Sequence, residues 1–128
     1  MNVNEREYLD TLVRKVIGAV YEVSNTLGAG FLEKVYERAL LRELGLRGIS
    51  AQAQVPIPVA YKGELIGEYF ADILVEGKLI IELKCCETFC DEHLAQCINY
   101  LKATGFGLAL LVNFQNPKVE WRRVFLDY

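Results

Sequence analysis

The sequence predicts an α/β fold in which a mixed β-sheet carries helices on both faces. Two helical segments open the chain, three strand-like segments follow, and a third helical segment precedes two more strands. A β-hairpin followed by a strand–helix–strand crossover requires both antiparallel and parallel pairing, and therefore a mixed sheet. The apolar run Leu108 to Phe114 supports this, because such a run is typical of a strand buried on both faces.

The three helices are predicted from the spacing of apolar residues and from the glycines that follow them. From Glu5 to Leu27, leucine, valine and isoleucine recur at steps of three and four residues, as in an amphipathic helix. Glycines break this pattern after Leu27, and a second helix is expected from Phe31 to Leu44. The third is expected from Cys90 to Thr104, before two further glycines.

Five strands are predicted from alternating apolar residues and from turn residues between them. The first, Gln54 to Ala60, contains two prolines, which predict a position at the edge of the sheet. Leu65 to Val75 and Leu79 to Lys84 form a hairpin, joined by the short loop Glu76 to Lys78. The remaining strands are Leu108 to Phe114 and Val119 to Leu126.

Length and composition predict one domain over residues 1–128 and exclude several classes of protein. The chain has 128 residues, of which 52% are hydrophobic and 24% charged, a globular composition. No apolar run approaches the roughly 20 residues of a membrane span, and the polar first segment does not resemble a signal peptide. The net charge of −3 argues against nonspecific coating of nucleic acid, without excluding an enzyme with a local nucleic-acid site.

The four cysteines lie close together in the sequence, which predicts reduced thiols in a cytoplasmic protein rather than a disulfide scaffold. Two interpretations of them are open. Cys86, Cys90, His93 and Cys97 are conceivable zinc ligands, although they lack the paired spacing of zinc knuckles. Alternatively, Cys90 and Cys97 lie on one apolar helical stripe and pack in the core. We favour packing, because cysteine is a common small buried residue.

The stretch from Asp72 to Lys84 carries the strongest chemical signal. Side chains of a strand alternate between its faces, so Glu82 and Lys84 lie on one face. If the hairpin loop is Glu76 to Lys78, Asp72 lies directly opposite Glu82, with Cβ atoms about 4.5–5.5 Å apart. Two carboxylates and one ammonium then converge at one end of the hairpin.

Two interpretations of this cluster are open. Adjacent carboxylates repel and are costly to bury, and a divalent cation between them relieves both costs. Oxygen ligands at few positions suit Mg²⁺ or Mn²⁺, and a neighbouring lysine suits a phosphodiester hydrolase. The alternative is a solvated strand face on which Lys84 forms a weak surface ion pair. Phe70, Leu74 and Ile80 share the face, and such large apolar residues predict a covered face.

Four motifs in order resemble those of the PD-(D/E)XK nuclease superfamily. Asp72, a short hairpin and then Glu82-Leu83-Lys84 resemble the motif that names it, with Ala71 in place of the nominal proline. All charged positions of the motif are present. Any one motif is weak, but four in the right order, each on the expected element, are specific.

The other three motifs lie on a helix, a second helix and a strand. The segment Gly30 to Tyr36 is similar to the signature of the small prokaryotic GxxExxY proteins of that superfamily. Gln96 and Tyr100 resemble the Q-x-x-x-Y helix of its RecB-like branch, and Val112-Asn113-Phe114 also fits. The resemblance implies a restriction-endonuclease-like core of helix, three-stranded meander, helix and strand, which agrees with the elements above.

The resemblance also implies roles for individual residues. Asp72 and Glu82 would bind the metal together with the backbone carbonyl of Leu83. Glu33 would complete the metal shell directly or through water. Lys84 would position the attacking water.

The same resemblance implies a substrate-binding face on the third helix. Gln96 and Tyr100 are four residues apart and share a helix face, which in RecB-like nucleases borders the site and contacts substrate. His93 precedes Gln96 by three residues and joins the same stripe.

The expected function is that of a nuclease in which Mg²⁺ or Mn²⁺ activates the water that hydrolyses a DNA phosphodiester bond. The alternative is a non-catalytic module that keeps the nuclease fold and binds nucleic acid or a partner. The acidic pI near 5.2 favours this alternative or the need for a partner. Because specific DNA interfaces bury about 1,000–2,500 Å² of protein surface, a homodimer or a partner subunit would supply further surface.

Overall fold

The computed structural model describes residues 1–126, which form a five-stranded sheet between two layers of helices. In chain order the elements are α1 (Val3–Leu27), α2 (Glu33–Leu46), β1 (Ala51–Tyr61), β2 (Glu64–Val75), β3 (Leu79–Lys84), α3 (Asp91–Thr104), β4 (Leu108–Asn113) and β5 (Glu120–Phe125). The predicted α/β class and the order of its elements are confirmed. No helix in residues 1–126 has the length and apolarity needed to cross a membrane.

The sheet is mixed, with its strands side by side in chain order. β1, β2 and β3 form an antiparallel meander, α3 crosses over to place β4 parallel to β3, and β5 returns antiparallel to β4. The proline-bearing β1 lies at one edge, as its prolines predict. Val75 pairs with Leu79, so the β2–β3 loop has the three residues Glu76 to Lys78 that the sequence predicts.

Two apolar cores lie on opposite faces of the sheet. On one face, α1 and α2 pack over strand residues that include Ile73 and Ile81. On the other face, Ile80 packs with Cys97 and Leu101 of α3. Every residue of β4 is buried, which agrees with its continuous apolar run.

Some element boundaries differ from prediction by a few residues, for identifiable reasons. Asn2 caps α1, because its Oδ1 accepts a hydrogen bond from the Glu5 N–H at 2.8 Å, and the helix therefore starts at Val3. β1 begins three residues early, because pairing with β2 continues to Ala51 opposite Val75.

The β1–β2 hairpin extends beyond the part of β2 that pairs with β3, and β2 bends at the point where this pairing ends. Pairing between β2 and β3 covers only the three residues from Ile73 to Val75. Ala71 packs in the α3-side core, whereas Ile73 packs in the opposite core. Adjacent odd-numbered residues of a regular strand would face the same side, so the strand turns at Asp72. Across from Asp72, Gln54 of β1 has a φ of +53°.

Candidate active site

Asp72 and Glu82 lie where the β2–β3 hairpin opens. The ladder between these strands ends at the pair Ile73 and Ile81. One step further on, the Asp72 N–H donates to Glu82 Oε1 at 3.0 Å, and the Leu83 N–H donates to Asp72 Oδ2 at 2.7 Å. The carboxylates thus accept the hydrogen bonds that carbonyls would accept in a continued ladder, and the structure brings the two side chains together.

Burial and like charge make this a costly pair of carboxylates. Glu82 is only 2% exposed, and burial followed by the negative charge of Asp72 raises its pKa to about 8. Burial also raises the pKa of Asp72, against the hydrogen bond from the Leu83 N–H, which lowers it. Within residues 1–126, neither carboxylate has a cationic side chain at ion-pair distance.

A chain of hydrogen bonds joins Lys84 to α3. Lys84 Nζ donates to Gln96 Oε1 at 3.1 Å, and Gln96 Nε2 donates to the Tyr100 hydroxyl at 2.9 Å. That hydroxyl points to the Phe70 carbonyl at 3.5 Å. Burial, with the charge of Glu82, raises the pKa of Tyr100 to about 12, which keeps the phenol protonated. The Lys84 ammonium is thus held by the neutral amide of Gln96, which leaves its positive charge uncompensated.

Tyr36 anchors the loop that leads into Glu33. The Tyr36 hydroxyl donates to the Gly28 carbonyl at 2.6 Å, and its ring stacks on Phe114 with centroids 4.6 Å apart. Gly30 lies between Gly28 and Tyr36 in the sequence and has a φ of +107°, a conformation that glycine adopts readily. The first and last positions of the Gly30 to Tyr36 motif therefore shape the loop, and the middle position begins α2.

Glu33 is the first residue of α2, and its carboxylate is close enough to Asp72 and Glu82 for their charges to interact. Partial burial and the charge of Asp72 raise the pKa of Glu33, and Lys84 lowers it. The described part of the chain contains no group of three His, Cys, Asp or Glu side chains close enough to hold a metal ion. Among these described residues Glu33, Asp72 and Glu82 therefore do not form a three-ligand cluster, and the expected role of Glu33, direct or through water, stays a prediction.

The donor set nevertheless fits a small divalent cation. Asp72 and Glu82 offer hard carboxylate oxygens, and each uses one oxygen in the exchange with the other strand. The backbone carbonyl of Leu83, the residue that follows Glu82, is the further oxygen ligand that the resemblance implies. Mg²⁺ is usually held by one or two carboxylates and retains several waters, so it does not require a cage of three acidic side chains.

The cysteines and His93 do not converge on the zinc site that the sequence left open. No three-ligand cluster exists among residues 1–126. Cys97 is buried in the α3-side core. The prediction that Cys90 packs there is wrong, because Cys90 is exposed at the N-cap of α3, before the apolar stripe begins. His93 Nδ1 accepts from the Cys90 N–H at 3.3 Å, so His93 caps this helix one turn before Gln96.

One apolar residue expected beside the charges lies elsewhere. Ile80 is fully buried and Leu74 packs partly buried against the α3-side core, as a covered face requires. Phe70 is 48% exposed, so the prediction that it lies on the covered face is wrong. The bend at Asp72 carries the strand out of the plane that regular alternation assumes.

Asn113 is a polar residue near the site for which the sequence predicts no individual role. It is fully buried at the end of β4, beside Lys84 in the parallel ladder. Its Nδ2 donates to the Cys86 carbonyl at 2.8 Å, and its Oδ1 accepts from the Cys86 N–H at 3.2 Å. It therefore fixes the chain where it leaves Lys84. In the sequence, the signal that could have identified Asn113 is a single amide residue in an otherwise apolar strand.

Glu37 and Gln54 are two further residues that sequence reasoning missed. Glu37, on α2, is 5% exposed and accepts from Lys34 Nζ at 2.8 Å. Gln54 Nε2 donates to the other Glu37 oxygen at 2.6 Å and lies 3.5 Å from Asp72 Oδ1. No local pattern marks this contact, because it joins residues distant in the sequence.

Comparison with known proteins places this geometry in a family. The sequence profile of the PD-(D/E)XK nuclease superfamily matches residues 10–124. No curated protein matches the chain significantly. One similar solved structure is an alkaline exonuclease (LHK-Exo) from Laribacter hongkongensis, at a TM-score of 0.54 and 18% identity, over 73% of this chain and 55% of that one. Another is SSO0001, at a TM-score of 0.57 and 17% identity, over 98% of this chain and 62% of that one.

These structural likenesses concern the fold, and the chain spans less than two thirds of either protein's length. The profile match is more informative, because it covers both carboxylates, the lysine and the Gln96 to Tyr100 helix. The chain belongs to the PD-(D/E)XK nuclease superfamily.

Proposed function

We propose that the protein is a metal-dependent nuclease that hydrolyses DNA phosphodiester bonds, of the GxxExxY type within the RecB-like branch. The observation that carries the proposal is the buried Asp72–Glu82 pair at the open end of the hairpin, with Lys84 beside it. Members of the superfamily generally use divalent metals, and a nuclease acts on nucleic acid.

Three residues would hold the metal. Asp72 and Glu82 would bind Mg²⁺ or Mn²⁺ through their carboxylates and Leu83 through its carbonyl, with Glu33 completing the metal shell directly or through water. When bound, the cation supplies positive charge that acidifies water and stabilises the charge that develops on the phosphate. The raised pKa of Glu82 supports this assignment, because a cation would relieve the repulsion from Asp72.

Lys84 would orient the attacking water and stabilise charge on the phosphate. Its hydrogen bond to Gln96 fixes the ammonium before substrate arrives, and a charge held in place in advance requires no reorganisation during the reaction. Because Lys84 is already held by Gln96, its side chain loses less conformational freedom when substrate binds.

The face of α3 that carries His93, Gln96 and Tyr100 would contact the substrate. Gln96 and Tyr100 line a surface groove together with Tyr69 and Asn99. The groove begins at the partners of Lys84, so a strand lying in it would place a phosphate near the carboxylate pair. A homodimer or a partner subunit would add surface for a duplex.

The experiment that tests the proposal is cleavage of end-labelled single-stranded DNA, double-stranded DNA and RNA with Mn²⁺, with and without EDTA. We expect cleavage of DNA that EDTA abolishes and that Glu82→Gln lowers at least about a hundredfold. Glu22→Gln on the exposed surface of α1 is the matched control and should cleave like the wild type. Absence of cleavage by the wild type on every substrate would overturn the proposal and favour the non-catalytic binding module.

A further inference from the structure

Gln54 has an uncommon backbone conformation for its place in the fold. Its φ is +53°, in the left-handed region that glycine, asparagine and aspartate favour. In residues 1–126 the other non-glycine residues with positive φ are Lys62 and Glu76, and both lie at hairpin turns, where this conformation is usual. Gln54 instead lies within β1. Local strain of this kind persists where the surrounding structure imposes it, and it is concentrated at functional sites.

The strained backbone leaves Gln54 and Asp72 opposite one another but unpaired. Ala53 pairs with Ile73 and Val55 pairs with Ala71, so the register continues on both sides of the gap. Asp72 is the residue at which β2 bends and whose carboxylate accepts from the Leu83 N–H. The irregular point of β1 thus faces the irregular point of β2.

The side chain of Gln54 lies between two carboxylates. Its Nε2 donates to Glu37 Oε1 at 2.6 Å and lies 3.5 Å from Asp72 Oδ1. One amide nitrogen carries two hydrogens, so it can serve both acceptors. Glu37 is a firm anchor, because it is 5% exposed and Lys34 Nζ holds its other oxygen at 2.8 Å.

This arrangement links the two halves of the proposed metal site. Glu33 and Glu37 lie on α2, separated by one turn, and Asp72 lies on β2. Gln54 connects them through the hydrogen bond to Glu37 and its approach to Asp72. As a neutral donor it restrains Asp72 without adding a positive charge that would compete with a metal ion.

We propose that Gln54 is a positioning residue, which orients the Asp72 carboxylate for metal binding by tying it to the buried Glu37. The inference rests on the proposed nuclease function, and it adds a residue that lies outside all four motifs. In this interpretation, the strained backbone at Gln54 is retained because it holds the side chain where it orients Asp72.

The test compares Mn²⁺ affinity by calorimetry for the wild type, Gln54→Gly and Gln54→Met. Glycine adopts a positive φ without strain but lacks the amide, and methionine keeps the side-chain length but cannot donate. Because each variant loses the hydrogen bonds from a neutral amide to carboxylates, we expect both variants to bind Mn²⁺ about tenfold or more weakly. Lys62→Gly is the matched control, since it relieves the same φ at the hairpin tip, and it should bind like the wild type.

A second readout separates positioning from general damage to the fold. If Gln54 acts through the metal site, a higher Mn²⁺ concentration should restore DNA cleavage by both variants, and thermal unfolding should show that they remain folded. If the glycine variant does not fold, Gln54→Met decides the question. Wild-type Mn²⁺ affinity in a folded Gln54 variant would overturn the positioning role alone. A wild type that binds no Mn²⁺ would refute the proposed function as well.

Discussion

The carboxylates of Asp72 and Glu82 each accept a hydrogen bond from a backbone N–H of the opposite strand. The Asp72 N–H donates to Glu82 Oε1 at 3.0 Å, and the Leu83 N–H donates to Asp72 Oδ2 at 2.7 Å. Backbone pairing between β2 and β3 has ended one residue earlier, at Ile73 and Ile81. The two carboxylates are therefore held close by backbone donors although their charges repel. Substitutions here affect metal binding and stability in different directions, which makes the two effects separable.

Asp72→Asn should weaken Mn²⁺ binding strongly while the protein remains folded. The amide oxygen can still accept from the Leu83 N–H, but the substitution removes one of two ligand charges and the repulsion on Glu82. We therefore expect metal-free stability at neutral pH equal to or above that of the wild type. Calorimetric titration and thermal unfolding measure the two effects. Equal Mn²⁺ affinity in both forms would exclude Asp72 as a ligand.

The metal-free protein should become less stable as pH rises from about 5 to about 8. Burial and Asp72 raise the pKa of Glu82 to about 8, above the ordinary value of 4.5, so the folded state retains a proton that the unfolded state releases. The stabilisation is complete below the unfolded pKa and is lost as pH approaches the folded one. Asp72 and Glu33, whose pKa values burial also raises, act in the same direction.

Urea unfolding in EDTA across this pH range measures the effect. Glu82→Gln does not titrate and should remove much of the pH dependence, whereas Glu22→Gln should leave it intact. Parallel curves for the wild type and Glu82→Gln would contradict the assignment of the dependence to Glu82.

The cysteines should differ sharply in reactivity. Burial, with the charge of Glu82, raises the pKa of Cys97 to about 12, and Cys97 is enclosed in the α3-side core. Cys90 is exposed at the start of α3. Iodoacetamide at a pH of about 8 should alkylate Cys90 in the native protein and spare Cys97, because the thiolate is the nucleophile. Unfolding in urea should equalise the two, and rapid native alkylation of Cys97 would contradict its burial.

Much of the fold could be predicted because it depends on local patterns. Apolar spacing and glycines locate the three helices, and the residues Glu76 to Lys78 locate the hairpin loop. Once that loop has three residues, the register of the hairpin follows, and Asp72 must lie across from Glu82. The central geometry of the candidate site is therefore contained in a 13-residue stretch, residues 72–84.

The features that could not be predicted depend on contacts between distant segments. The positive φ of Gln54 and the bend at Asp72 lie in a hairpin that contacts α2 and α3, which are distant in the sequence, and Phe70 beyond the bend lies outside the core. Cys90 has the spacing of a core residue but lies at the N-cap, where the chain has not yet entered the helix. Periodicity does not distinguish a cap from the first buried turn.

The most direct measurement of the central claim is the cleavage rate of labelled DNA at saturating Mn²⁺ for the wild type, Lys84→Met and Lys15→Met. Lys15 is an exposed lysine of α1 and serves as the matched control. A charge fixed beside the reacting phosphate contributes about 3–4 kcal/mol, so Lys84→Met should cleave at least about a hundredfold more slowly. Its Mn²⁺ affinity should be equal or slightly higher, since a neighbouring positive charge is removed. Cleavage by Lys84→Met at the wild-type rate would contradict the account.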